Sequence, residues 1–503
     1  MRITVLLLAA IFLLAPAWGT AAQKPNIILF LMDDLGQTDL GCYGSTFYET
    51  PHLDRLAQQG LRFTQAYAAC PVCSPTRAAV LTGKYPLRTG VTDYINPAGG
   101  NQPANWKKNT LLLPAPYADR LPLAEITLAE VLKSTGYHTF HAGKWHLGPQ
   151  GFYPEDQGFD INKGGAEDGA PRGPNKYFSP YTNPRLTDGP PGEYLTDRLA
   201  TETISFVRAH RDQPFFVYFP FYAVHTPLMA PESLVKKYEE KRQRLGLHAQ
   251  WGREGERRVL LNHEHPIYAA MVESMDTAIG RVLQTLDELK LNEQTIVLFT
   301  SDNGGLSTSE GHPTANLPLR AGKGWLYEGG IRVPLIIRWT GKFPAGKSLD
   351  TPVSSIDYFP TFLDLADVHT PQAAHVDGIS LKELILHDQQ PATRDLFWHY
   401  PHYGNQGGAP GSVLRHGDWK LILWEEGPHV ELFNLKDDPS EKQDVAGKHP
   451  SIVRDMRARL EEFLTRNRAL HATPNPAYNP AQPNGRGEQF KPNKYRAADP
   501  AAS

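Results

Sequence analysis

At 503 residues the chain is long enough for one large domain and a smaller one. Acidic and basic residues nearly cancel, 54 against 51, which excludes a basic nucleic-acid surface or an acidic tail. Three cysteines, Cys42, Cys70 and Cys73, are too few and of the wrong parity for a disulfide scaffold. A Cys42–Cys70 bridge stays open and would leave Cys73 free. The Cys70-x-x-Cys73 spacing also admits a redox or zinc site, although no second cysteine pair supports zinc.

In chain order, residues 1–22 read as a signal peptide: Arg2, an apolar run at 5–14, and small residues at 17–22. That run is too short to span a membrane, and no later segment reaches about 18 uninterrupted apolar residues. The expectation is a periplasmic or secreted protein with no membrane attachment after cleavage. Residues 23–390 then carry four apolar runs ending in polar clusters. Residues 26–32 end at Asp33-Asp34, 137–140 at GKWHLG, 214–219 near His225, and 295–300 at Ser301-Asp302-Asn303-Gly304. Continuous apolar runs of this length suit strands buried on both faces. Helical patterns at 54–60, 77–82, 126–134, 195–210 and 268–289 alternate with them, so the fold class is α/β with a large, mostly parallel sheet flanked by helices. Ligands in such folds sit beyond the carboxyl ends of the strands, where every polar cluster falls.

From 391 to 472 the texture changes. Residues 413–424 and 430–433 read as antiparallel strands turning at His416-Gly417-Asp418 and Gly427-Pro428, followed by a helix at 452–467. This predicts a small C-terminal subdomain of antiparallel sheet and helix. Residues 473–503, rich in Pro and Asn, read as an extension, either disordered or laid across the surface.

Asp33-Asp34 and Asp302-Asn303 offer four oxygen-bearing side chains, the ligand type that hard cations such as calcium or magnesium select. Adjacent acids with no basic neighbour repel one another unless a cation lies between them. A helix N-cap and an Asx turn explain the same two pairs without a metal. Lys144 and His146 add a cation and a titratable ring, His225 a second ring, Lys323 a cation in GKGWLYEGGIRVP, and Arg77 a guanidinium. Taken singly, each is explained as well by packing, a turn or a surface ion pair.

Together they carry more. Cys73-Ser74-Pro75-Thr76-Arg77, followed by Leu81-Thr82-Gly83, resembles the signature of type I sulfatases in the alkaline phosphatase superfamily. The resemblance continues in family order through Asp33-Asp34, GKWHLG, His225-Thr226-Pro227, Ser301-Asp302-Asn303-Gly304 and GKGWLYEGGIRVP, over residues 25–465. It implies an alkaline phosphatase-like fold and a sulfatase. It also implies oxidation of Cys73 to formylglycine by a formylglycine-generating or maturase enzyme. Calcium, or magnesium, would be held by Asp33, Asp34, Asp302, Asn303 and the converted Cys73. In the implied mechanism the aldehyde hydrate attacks sulfur in line, with Arg77 steadying it. Lys144, Lys323 and the cation neutralise the sulfate oxygens. His225, assisted by Lys323, protonates the leaving oxygen, and His146 takes the proton whose loss expels sulfate. A helix N-terminus at Cys73 suits an anionic substrate.

The implied substrate is a sulfated carbohydrate, with galactose or N-acetylgalactosamine sulfate as the first guess. Loops 94–116, 164–191 and 400–412 are expected to read the sugar. Tyr400, His402, Tyr403 and Asn405 either contact a ring or simply pack their loop. The alternatives are a phosphonate monoester or phosphodiester hydrolase of the same superfamily, a non-catalytic carbohydrate-binding protein, and a redox protein using Cys70 and Cys73.

Overall fold

The apolar run NIILFLM forms β1 (Asn26–Met32), and its side chains alternate between two cores. Ile28, Phe30 and Met32 enter one; Ile27, Leu29 and Leu31 enter the other. This period-two alternation makes β1 the middle of a sheet with helices on both faces. The computed structural model describes residues 24–486 apart from 97, 98, 100 and 101, so the expected signal peptide at 1–22 lies outside the described residues.

The further strands of the main sheet are β2 (Leu61–Tyr67), β3 (His138–Ala142), β4 (Ile161–Lys163), β5 (Phe215–Pro220), β6 (Thr295–Ser301), β7 (Arg332–Arg338), β8 (Lys347–Leu349) and β9 (Val353–Ser354). Their order is β8-β2-β7-β6-β1-β5-β3-β4, with β9 also on β2. Only β7 runs against the rest. The pairing of β7 with β2 is irregular between Val333 and Leu335, where Pro334 has no N–H to give the ladder.

Helices α1 (Pro51–Gln59), α2 (Cys73–Thr82), α3 (Leu128–Ser134), α4 (Leu195–Ala209), α5 (Glu232–Arg244), α6 (Pro266–Glu288) and α7 (Tyr358–Leu365) complete three layers. Leu53, Leu199, Tyr238 and Met275 bring α1, α4, α5 and α6 to one face. Val80, Leu132 and Phe362 bring α2, α3 and α7 to the other. The start of α3 is a capping box: Glu130 N donates to the Thr127 hydroxyl (3.2 Å) and Thr127 N to the Glu130 carboxylate (2.8 Å). The expected helix at 77–82 begins four residues earlier, at Cys73.

Beyond them, β10 (Asp395–Tyr400), β11 (Gly411–His416), β12 (Trp419–Trp424) and β13 (His429–Asn434) form a four-stranded antiparallel sheet. Leu414, Leu421 and Leu432 pack on Met456 and Leu460 of α8 (Pro450–Arg466). On the opposite face, Trp398, Val413 and Ile422 pack on Tyr67, Cys70 and Val72. The Trp398 indole donates to Ala68 O (2.8 Å), so this sheet braces the segment leading to Cys73. After α8, residues 473–486 lie back across the larger unit, where Thr473–Pro474 pairs with Leu112–Leu113.

His399 on β10 is nearly fully buried, and its Nε2 donates to Leu470 O (2.8 Å) while Nδ1 faces the Ser412 hydroxyl (2.8 Å). Burial lowers its pKa from 6.5 to about 4. The unfolded chain therefore binds a proton that the folded chain refuses between those values. The stability from this group is complete above pH 6.5 and is lost as pH falls toward 4. The unfolding free energy is expected to drop across that range, by up to about 1.4 kcal/mol per pH unit for this one proton. His399→Gln should make the fall shallower; an unchanged slope would contradict the assignment.

Candidate active site

Five strands deliver the polar clusters to one edge of the sheet. Asp33-Asp34 follow β1, Asp302-Asn303 follow β6, Lys144 and His146 follow β3, His225 follows β5, and Cys73 opens α2 after β2. Lys323 precedes β7, and the reversal of β7 brings its entering loop to the same edge. Two glycines are required by close backbone contact. A Cβ on Gly143, which has φ 125°, would lie 1.9 Å from Pro220 O, and one on Gly304 would lie 1.8 Å from Gly329 O.

Cys73 Sγ lies 3.3 Å from His146 Nδ1. The other ring nitrogen, Nε2, donates to Ile95 O (2.8 Å), so the bare Nδ1 faces the cysteine. Ser74 Oγ, which sequence reasoning passed over, donates to His146 O (2.9 Å) and accepts from Ile95 N (3.0 Å), tying this trio together. Arg77 donates from Nε to Asp302 Oδ2 (2.8 Å) and from Nη1 to Lys144 O (3.0 Å), with Nη2 2.7 Å from Asp302 Oδ2. Lys144 Nζ binds Asp33 Oδ2 (2.7 Å), and Lys323 Nζ binds Asp34 Oδ2 (2.8 Å). His225 Nδ1 donates to Thr226 O (2.6 Å), leaving Nε2 facing Asp34 Oδ2 at 3.7 Å. Tyr177, also missed, holds this turn by donating to Tyr222 O (2.7 Å) and His225 O (2.8 Å).

Three carboxylates thus face three cations, all fully or almost fully buried. Burial raises the pKa of Asp33, and burial together with Asp33 raises that of Asp302 to about 6. At Asp34 burial is outweighed by Lys323 and His225, and the carboxyl is held below its ordinary value. Asp34 in turn keeps Lys323 protonated against the effect of burial. Burial, then Lys323, lowers His225 to about 4, so its ring is neutral in the substrate-free site at pH 7.

The residues fit a hard divalent cation. Asp33 Oδ1 and Asn303 Oδ1 are buried and have no hydrogen-bond partner among the described residues. Asp302 Oδ1 and Asp34 Oδ1 complete an all-oxygen set around Asp34 N and Asn303 Nδ2, which bond to them at 3.3 and 2.9 Å. Buried acceptors without donors are costly, and a cation satisfies them.

A family model described as Sulfatase matches residues 25–368, and one described as N-sulphoglucosamine sulphohydrolase, C-terminal, matches residues 321–468. This chain belongs to the sulfatase family. It is a sulfuric ester hydrolase of the alkaline phosphatase-like fold, and the family implies formylglycine and a divalent metal. It is 34% identical to the N-acetylgalactosamine-6-sulfatase of Canis lupus familiaris, over 85% of this chain and 77% of that one. Against the human steryl-sulfatase it is 30% identical, over 80% and 76%. The crystal structure of Ps i-CgsB in complex with k-i-k-neocarrahexaose superposes with a TM-score of 0.73 at 29% identity, covering 88% of this sulfatase and 94% of that chain.

All ten residues singled out in the sequence meet at this edge. Readings left open by the sequence are decided. Cys42, Cys70 and Cys73 are free thiols, so the Cys42–Cys70 bridge is not formed. Burial raises the pKa of Cys70 and Cys73, which opposes a thiolate redox pair. Tyr400, His402 and Tyr403 are packing residues rather than sugar contacts: each is buried, with Tyr400 OH donating to Asp93 and Tyr403 OH to Glu426. Asn405 is the exposed member of that group.

Returning calcium or magnesium to the chelator-treated protein should raise its unfolding free energy, by about 2.7 kcal/mol at a free cation 100-fold above Kd. Asp34→Asn should abolish that rise in a thermal-shift titration. An equal rise in the variant would remove Asp34 from the site.

Proposed function

We propose that this sulfatase is an exported enzyme that hydrolyses sulfate monoesters on a carbohydrate, galactose or N-acetylgalactosamine sulfate first among them. It uses formylglycine made from Cys73 by a maturing enzyme, and a calcium ion held by Asp33, Asp34, Asp302 and Asn303. The observation that carries the reading is the convergence on Cys73 of His146 at 3.3 Å with the Lys144–Asp33 and Lys323–Asp34 pairs. The neocarrahexaose bound by Ps i-CgsB and the N-acetylgalactosamine-6-sulfatase activity of the canine relative support a sugar substrate. The opening residues, Arg2 and the apolar run after it, support export.

The aldehyde hydrate supplies the nucleophile, and the divalent cation supplies Lewis acidity and positive charge. The chain's own groups do the rest. Arg77, locked on Asp302, fixes one side of the pocket. Lys144 and Lys323 are buried donors available to sulfate oxygens, preorganised in a site of low dielectric. His146, with its bare Nδ1 toward position 73, accepts a proton there. His225 faces the opposite side through Nε2 and protonates the departing oxygen. The charge of an entering sulfate opposes the burial that keeps this ring neutral.

The test is turnover of 4-nitrophenyl sulfate beside 4-nitrophenyl phenylphosphonate, then of sulfated galactose and N-acetylgalactosamine. Sulfate turnover should dominate and vanish in Cys73→Ala; preferential phosphonate turnover would overturn the reading. His225→Ala should cost about 10²–10⁴-fold on sugar sulfates and far less on the activated aryl ester, which leaves unaided. Equal losses on both would remove the general-acid role.

A further inference from the structure

Residues 473–486 lie beyond residue 468, the last that either family model matches, and run as a strap over the larger unit. Asn475 Nδ2 donates to Thr110 O (2.9 Å). Asn109 Nδ2 donates to Asn479 O (2.8 Å), and Asn479 N donates back to Asn109 Oδ1 (2.8 Å). The chain enters this strap through Leu470, His471 and Ala472. There it meets the antiparallel sheet at a group of side chains that the sulfatase reaction does not use.

His399 on β10, Glu425 just after β12 and His471 just before the strap come together from three separate segments. Each offers a ligating atom within 4.8 Å of the other two. His399 is buried, Glu425 half-buried and His471 exposed. His399 Nδ1 is fixed 2.8 Å from the hydroxyl of Ser412, its partner on β11, and Nε2 lies 2.8 Å from Leu470 O. Glu425 Oε2 accepts from Ala472 N (2.9 Å), and its Oε1 lies 2.7 Å from His471 Nδ1. The two imidazole ring centres are 5.1 Å apart.

Two imidazoles and one carboxylate are a donor set that zinc takes, with a fourth position left over. Imidazole is not a calcium ligand of choice, and the all-oxygen set at the catalytic edge is. The outer contacts that orient ligands are already built. With zinc in place of the Nε2 proton, His399 Nδ1 donates to Ser412 Oγ, and Glu425 Oε2 keeps its bond from Ala472 N. Leu470 O, beside Nε2, or a water fills the fourth position. Burial lowers the His399 pKa to about 4, so this ring is neutral at pH 7 and has a lone pair to give. The bond to Glu425 raises the His471 pKa, so zinc expels a proton there and binds more tightly as pH rises. Zinc bonds of about 2.0–2.1 Å set ligand atoms about 3.3 Å apart, so the trio closes by at most about 1.5 Å. The exposed His471 is the member with room to make that movement.

We propose that His399, Glu425 and His471 form a zinc site, separate from the catalytic cation, that pins the start of the C-terminal strap to the antiparallel sheet. The site is structural and takes no part in sulfate ester cleavage. All three cysteines are free thiols, so this ion is the cross-link that the chain lacks in covalent form. It ties residue 399 to residue 471 and so constrains the unfolded chain over a long loop.

The test is titration of the full chain, held in excess calcium, with cobalt(II) as a spectroscopic stand-in for zinc. The intact protein and folded Asp34→Asn should each bind one equivalent that zinc displaces and calcium does not. His471→Ala and Glu425→Gln should each lose that equivalent. Zinc should raise the unfolding midpoint of the intact protein and leave that of His471→Ala unmoved. His471 is exposed, so the midpoint of His471→Ala without zinc should stay close to that of the intact protein, which separates a lost ligand from a failure to fold. An equivalent retained in His471→Ala, or missing from folded Asp34→Asn, would overturn the proposal.

Discussion

Three buried carboxylates, Asp33, Asp34 and Asp302, face three buried cations, Arg77, Lys144 and Lys323, and the rest of the molecule is organised around that balance. Desolvating six charges is expensive, and such a cluster is weak evidence for stability. What it supplies is a preorganised field at the carboxyl edge of the sheet. The doubly covered parallel strands hold each acid at a strand end, and the single reversed strand, β7, admits Lys323 from a loop far along the chain. Any group removed leaves an uncompensated buried charge, so the residues act as a unit.

The second constraint is the bracing of Cys73. Its loop lies between the catalytic sheet and the small antiparallel sheet, with Tyr67, Cys70 and Val72 packed against Trp398 and Val413. Lys420 on β12 reaches across to Glu328 (3.0 Å) and Glu441 (2.7 Å), a buried ion triad that ties the subdomain to the loop before β7. The C-terminal subdomain is therefore a buttress for the loop that carries Cys73. Small displacements of a reacting group carry large kinetic costs.

Much of this was legible in the sequence because the signals are local. Continuous apolar runs gave β1, β5 and β6, and polar residues at their ends marked the catalytic edge before any fold was known. The site residues converge because a parallel sheet gathers its strand ends. What escaped was long-range or atypical. The strand β7 contains Pro334, which argues against a strand and sits where the ladder with β2 is irregular. In β2 the segment LRFTQAY mixes buried and half-buried residues and lacks a clean period. Tyr400, His402 and Tyr403 stayed open between sugar contact and loop packing because composition does not reveal which way an aromatic side chain points; the tyrosine tips are satisfied inside. The strap at 473–486 has the composition of a linker, and its anchoring by Asn109, Asn475 and Asn479 is visible only in three dimensions.

In the proposed reaction the chemistry at position 73 comes from converted Cys73, because the unmodified thiol is buried and its pKa raised. The most direct measurement is mass spectrometry of the tryptic peptide ending at Arg77, from protein produced with a formylglycine-generating enzyme. The account predicts an aldehyde in place of the Cys73 thiol, trapped as a hydrazone by a hydrazine reagent, in step with sulfate ester turnover. An intact thiol at Cys73 in protein that nevertheless hydrolyses sulfate esters would contradict it.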